Sequence, residues 1–191
     1  MPKTIGITGG IGSGKSIVSR ILQLMGYPVY SSDQRAKELM HEDQSLIAGL
    51  KELFGEEAYL NSNLNRPFIA AQIFRDDSKR TDMNNLVHPA VRADFQNWKN
   101  QQNTPLVFQE SALLFETGSY KLFDGVILVS APEEVRMQRI KERDQLTDEQ
   151  VQARFDAQLS EEEKMKLTNY IIYNDGNQLL VPQILDLLKR I

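Results

Sequence analysis

Gly9-Gly10-Ile11-Gly12-Ser13-Gly14-Lys15-Ser16 fits the phosphate-cradling pattern G-x-x-x-x-G-K-[ST]. The chemistry follows from the residue types. Glycines let the backbone wrap an anion with its N–H groups inward, the Lys15 ammonium can reach the terminal phosphates, and the Ser16 hydroxyl can ligate Mg²⁺. The candidate nucleotide-binding set is therefore Gly10, Ile11, Gly12, Ser13, Gly14, Lys15, Ser16 and Ile17, with Ser16 as the metal ligand. A dinucleotide-binding reading fails on spacing. The G-x-G-x-x-G template started at Gly10 puts Lys15 where the third glycine belongs, although Asp33 sits about 20 residues on, where a ribose-binding acid is expected.

Asp33 follows the second predicted strand, at the sheet edge expected to carry the phosphate loop. It is a candidate general base or acceptor-orienting group, set against the plain preference for an acid in a helix's first turn. Arg136, Arg139 and Arg143 share one predicted helical face and could stabilise charge on a transferring phosphoryl group, with Arg139 and Arg143 ahead of Arg136. Glu133, Glu134 and Glu142 offer the alternative of a solvated, ion-paired helix. His88 could contact substrate or cap a helix begun by Pro89. Glu110 and Glu116 could ligate Mg²⁺ through water or simply end a strand.

The elements that must position these groups alternate. Residues 3–8 read as a buried strand; Ile17, Val18, Ile21, Leu22 and Met25 recur at helical spacing, with Gly26 as a stop. A second strand at 28–31 leads into a helix reaching about His41. Residues 43–102 turn helical and polar, interrupted by turn chemistry at 61–67, and read as helices inserted over the ligand edge of a sheet. Strands are predicted again at 106–110 and 125–130, then a charged helix from Glu133 to Arg143. Capping-box patterns at Thr147 and Ser160 predict two short helices, before a last strand at 169–174 and an amphipathic helix at 179–190. The alternation implies a doubly wound parallel α/β sheet with ligands at the carboxyl ends of its strands.

Length and charge bound the rest. The chain has 191 residues, enough for one α/β domain. A net charge of −4 with scattered Lys and Arg argues against nucleic acid as a partner. Without cysteine there is no disulfide or thiolate chemistry, and two histidines are few for a metal cluster, so a metal would be hard and oxygen-ligated. The first strand begins within a few residues and no apolar run reaches the ~20 residues of a membrane span, so a cytoplasmic location is expected.

Taken in order, these strings resemble the dephospho-CoA kinase family over nearly the whole chain. The resemblance is carried by residues 7–16, Asp33 with Ala36, Val87-His88-Pro89, Leu113-Leu114-Phe115-Glu116 and Phe123-Asp124. It continues through Arg139 and Arg143 with Asp144, Gln158 and Asn174-Asp175-Gly176. It implies a P-loop kinase fold, a three-layer α/β/α domain with a five-stranded parallel sheet. The core would comprise residues 1–35, 103–140 and 167–191, the helical substrate-binding insertion 36–102 and the helical lid 141–166. The implied reaction is phosphorylation of the ribose 3′-hydroxyl of dephospho-CoA by ATP with Mg²⁺. Asp33, Lys15, Arg139 and Arg143 are the implied catalytic residues, and no obligate protein partner is implied. Ser31-Ser32, Ile17, Ala112 and Thr168-Asn169 depart from the family pattern without removing a reacting group. Two alternatives remain at this point. One is a kinase for another small acceptor, such as a nucleoside monophosphate; the other is a nucleotide-dependent regulatory module, which lacks support from any Asn-Lys-x-Asp string.

Overall fold

The computed structural model describes residues 2–191. The described chain falls into two compact units, one formed by the segment up to Ser31 together with Gln102–Ile191, the other by Ser32–Gln101.

The first unit is built on a five-stranded sheet in the order β2-β5-β1-β6-β7, with β1 Lys3–Thr8, β2 Val29–Ser31, β5 Leu106–Glu110, β6 Gly125–Ser130 and β7 Tyr170–Tyr173. Every neighbouring pair runs parallel. β1, buried from Thr4 to Thr8, and β6, with its apolar run Val126–Val129, take interior positions in the sheet, where strands are covered on both faces. Alternation along β6 sorts its side chains between two faces. Ile127 and Val129 join Ile5, Ile7, Phe108 and Ile172 beneath α1 (Lys15–Leu24) and α9 (Leu180–Arg190), which contribute Val18, Leu22, Ile184 and Leu187. Val126 and Leu128 pack with Leu114 and Phe115, against Leu159 and against Met165 of α8 (Glu161–Leu167). The expected parallel sheet with flanking helices is therefore present. Register brings Thr8, Glu110, Ser130 and Tyr173 to one carboxyl edge.

Past β6, α6 (Glu133–Asp144) and α7 (Asp148–Asp156) join through Ile140, Val151 and Phe155, with Ile11 of the phosphate loop packed on the same cluster. Both capping boxes foreseen here form: Thr147 and Gln150 satisfy each other at α7, Ser160 and Glu163 at α8.

The second unit contains α2 (Ser32–Glu42), α3 (Gln44–Phe54), α4 (Arg66–Arg75) and α5 (Asp77–Asn100), with a hairpin of β3 (Tyr59–Leu60) and β4 (Asn63–Leu64). Asn61 and Ser62 turn that hairpin with φ of 49° and 66°, the left-handed pair a two-residue loop demands. Sequence pattern predicted the turn and missed both strands. Arg35 of α2 clamps α5 through two hydrogen bonds of 3.0 Å to Asp94, and also reaches Glu38 and Glu42. Burial pushes the Tyr59 phenol up to about 12, and its hydroxyl donates to the Met40 carbonyl at 2.6 Å.

One expectation is corrected here. Pro89 does not begin a helix but lies inside α5, whose start is capped by Asp76. Val87, Val91 and Phe95, four residues apart, bury one face, and that packing outweighs the single hydrogen bond proline forfeits. Among the described residues no helix is long and apolar enough to cross a membrane.

Candidate active site

The phosphate loop leaves β1 at Thr8 and enters α1 at Lys15. Its first turn closes by a bond from the Ser13 amide to the Gly10 carbonyl at 3.1 Å. Gly14 holds φ 93° and ψ 27° at the N-cap, a left-handed conformation that glycine adopts without penalty, and Asn174 Nδ2 occupies the space a Cβ would need. Among the described residues no side-chain oxygen caps α1. The positive end of the α1 dipole faces the loop, an arrangement that attracts an anion.

Lys15 Nζ donates to the carbonyls of Gly9 at 2.9 Å and Gly10 at 3.3 Å, so its ammonium is held over the loop mouth. Ser16 and Ile17 are exposed at the same helix start. The Ile17 amide is spent on the Gly14 carbonyl at 3.0 Å.

Three distant residues shape the loop from outside. Asn174, following β7, donates through its side-chain amide to the Ser13 carbonyl at 2.8 Å, and its own amide donates to Ser130 at 2.7 Å. Gln158 accepts the Ile11 amide at 2.9 Å through its side-chain oxygen. Arg139 donates to the carbonyl of Gly12 at 3.4 Å and that of Asn174 at 3.0 Å, so its guanidinium bridges the loop and the residue after β7. Asn174 and Gln158 stood in the family resemblance without a role, because only the fold reveals their partners.

Arg143 stands apart. Its side chain is 62% exposed and forms a two-pronged pair with Asp144, at 2.7 and 2.9 Å, and Arg154 grips the same carboxylate at 2.7 Å. These bonds, from Arg143 first and then Arg154, pull the Asp144 carboxyl down to about 2 and raise Arg143 above its ordinary value. Arg136, ranked behind its neighbours by pattern, is the buried one of the three.

The acids resolve differently from one another. Glu116 forms an ion pair with Lys164 at 3.2 Å and accepts the Leu159 amide at 3.2 Å, so in this structure it secures α8 and the segment before it. Glu110 ends β5, paired in register with Ile7 and Ser31. Asp33 is exposed in the first turn of α2, two residues beyond β2 in the chain. His88 lies mid-way along α5, where desolvation and then the Arg92 charge hold its imidazole below the usual value.

A family model for dephospho-CoA kinase matches residues 3–179. The chain belongs to the dephospho-CoA kinase family. A dephospho-CoA kinase of Bacteroides fragilis is 39% identical over 185 residues, covering 96% of this chain and 90% of that protein. A solved structure from Thermus thermophilus is 36% identical with a TM-score of 0.89, covering 99% of this chain and 97% of that one. The dephospho-CoA kinase from Campylobacter jejuni is 26% identical with a TM-score of 0.72, covering 100% and 97%. Membership of the dephospho-CoA kinase family makes the chain a kinase with ATP as donor, and does not favour the regulatory-module alternative.

Proposed function

We propose that this chain transfers the γ-phosphoryl group of ATP to the ribose 3′-hydroxyl of dephospho-CoA, giving ADP and CoA, the last step of CoA biosynthesis. The observation that carries the reading is an uncapped, lysine-crowned phosphate loop in a chain matched by the dephospho-CoA kinase model over residues 3–179.

Phosphoryl transfer asks a protein mainly for alignment and charge stabilisation. The loop amides and Lys15 hold the β and γ phosphates. Asp33 orients the acceptor hydroxyl and takes its proton as the new O–P bond forms and the bond to the β-phosphate oxygen breaks. Arg139 steadies the loop from the carbonyl side of Gly12. Arg143 leaves its Asp144 pair to meet charge on the transferring group. In this reading the helical insertion of residues 36–102 supplies acceptor contacts and residues 141–166 act as a lid that excludes water.

The donor set fits Mg²⁺. Among the described residues no three His or acidic side chains cluster to make a metal cage. Mg²⁺ is ordinarily held by one or two protein oxygens together with phosphates and water. Ser16, exposed at the second position of α1, is the residue that would hold it, and the ion's chemistry there is neutralisation of β- and γ-phosphate charge. The reading is of a cytoplasmic enzyme with small-molecule substrates and neither nucleic acid nor an obligate protein partner.

ADP release tests it, followed with and without dephospho-CoA, with the product identified by mass. Release that requires dephospho-CoA and yields CoA supports the reading. Equal release without acceptor, or preference for a nucleoside monophosphate, overturns it.

A further inference from the structure

Arg136 projects from the first turns of α6 into a space walled by the phosphate loop and α7. Its side chain is only 9% exposed. On the loop side, Nη1 lies where a Cβ on Gly10 would stand. The backbone of Arg136 is equally close to Gly12: a Cβ there would sit 2.7 Å from the Arg136 carbonyl oxygen and 3.1 Å from its Cα. On the α7 side, the guanidinium carbon is 4.5 Å from the centre of the Phe155 ring.

The charge on this group is poorly balanced. Its nearest carboxylate, Glu133, is 3.8 Å away and 59% exposed, and its Nε is buried with no hydrogen-bond partner among the described residues. A cation held this way has lost most of its water, and the face of an aromatic ring returns only part of that cost. A solvated helix-face arginine would point outward to Glu133; this one points inward and leaves that contact long. What is missing is a negative charge, and the neighbouring loop is built to receive one.

We propose that Arg136 is a positioning residue for the nucleotide: its guanidinium, wedged between Gly10 and Phe155, braces the phosphate loop against α7 and lends positive potential to the phosphates bound there. Two effects follow from that position. Shape fixes where the Gly10 and Gly12 backbone can lie, and the desolvated charge strengthens attraction for a polyphosphate in a region poorly screened by water. Phe155 carries the coupling onward, since the ring that faces the guanidinium also packs on Ile140 and Val151. The ligand class is a nucleoside triphosphate or diphosphate; a monophosphate, lacking the groups that sit in the loop, should feel Arg136 little.

This inference rests on the ATP-site reading, so nucleotide binding is measured directly rather than through turnover. Titration calorimetry of the full chain with ATP and with AMP, at low and at raised salt, compares the unmodified protein with R136Q and R136K. Expected is about a tenfold loss of ATP affinity in R136Q with a flatter salt dependence and AMP affinity unchanged, while R136K stays within about threefold of the original. Equal ATP affinity in R136Q, or matched losses for ATP and AMP, overturns the proposal. If R136Q fails to fold, R136M, which keeps apolar contact with Phe155 and removes the charge, takes its place: a fall in ATP affinity without a fall in AMP affinity supports the proposal, and unchanged ATP affinity or matched losses overturn it. Failure of the unmodified protein to bind ATP would instead remove the ATP-site reading, a separate outcome.

Discussion

The side-chain amide of Asn174 donates to the carbonyl of Ser13 at 2.8 Å, joining the residue after β7 to the phosphate loop across 161 positions of sequence. The same amide stands against Gly14, and the Asn174 carbonyl accepts Arg139. Asn174→Ala should strand a buried loop carbonyl and lower stability by about 1–3 kcal/mol. ATP affinity should weaken with it, because the loop loses a wall. Thermal melting and ATP titration check this together, and a variant unchanged in both would show that the loop holds its shape without Asn174.

Lys15→Met removes the only charge the loop motif itself carries while leaving the helix intact. Turnover should fall by about 10²–10³-fold, the scale of losing a charge-stabilising donor in the transition state. Steady-state rates at saturating ATP measure it; a loss of less than about threefold would move the ammonium out of the transfer step.

Asp33→Asn keeps the shape at the start of α2 and removes a proton acceptor. Turnover should drop about 10²–10⁴-fold with ATP affinity preserved. If dephospho-CoA turnover survives, the acceptor carboxylate must be sought elsewhere.

The parts of this molecule that were readable from its sequence are those whose cause is local. Lys3–Thr8, the glycine loop and α1 announce themselves because a buried strand, a phosphate pattern and a 3.6-residue period follow one another without a gap. Thr147 and Ser160 were legible for the same reason, since a capping box is complete within four residues. Two residues of strand carry no measurable alternation, and so β3 and β4 stayed hidden on either side of Asn61 and Ser62. Pro89 misled because its local signal marks a helix start, whereas tertiary packing of Val87, Val91 and Phe95 carries α5 straight through it. At the site, Lys15 and Ser16 came from the motif, but the partners of Asn174, Gln158 and Arg136 are set by the sheet order.

Glu116 and Lys164 make a prediction that separates pairing from packing. The Lys164 side chain is 2% exposed and Glu116 16%, so either charge left alone would be buried unpaired. Glu116→Leu should destabilise by about 3–5 kcal/mol, while the double variant with Lys164→Met should recover most of that loss. Denaturant titration of the single and double variants gives the coupling, and additive losses would mean that the pair does not act as a unit.

Asp144 supplies the pH dependence. Its carboxyl sits at about 2 in the folded chain, against about 3.9 expected when unfolded. A depressed acid stabilises the fold fully above its unfolded value and loses that contribution as pH falls through the folded one. Between about pH 4 and pH 2 the Arg143–Asp144–Arg154 contact should therefore fail. Melting temperatures should fall more steeply over that range in the unmodified protein than in Asp144→Asn. Parallel curves would assign the acid limb to other carboxylates.

The glycines of the phosphate loop are cast against residues that come much later in the chain: Val129, Arg136 and Asn174 each fill space that a side chain at Gly9, Gly10 or Gly14 would need. The order of synthesis thus runs opposite to the order of assembly. A ribosome makes the motif before it makes Val129, Arg136 or Asn174, and the mould that gives the loop its form is not finished until Asn174 has emerged and β7 has joined the sheet. A growing chain carries the signature of an ATP site long before it has one, and nucleotide capture can serve as a marker that the last strand has been laid in place.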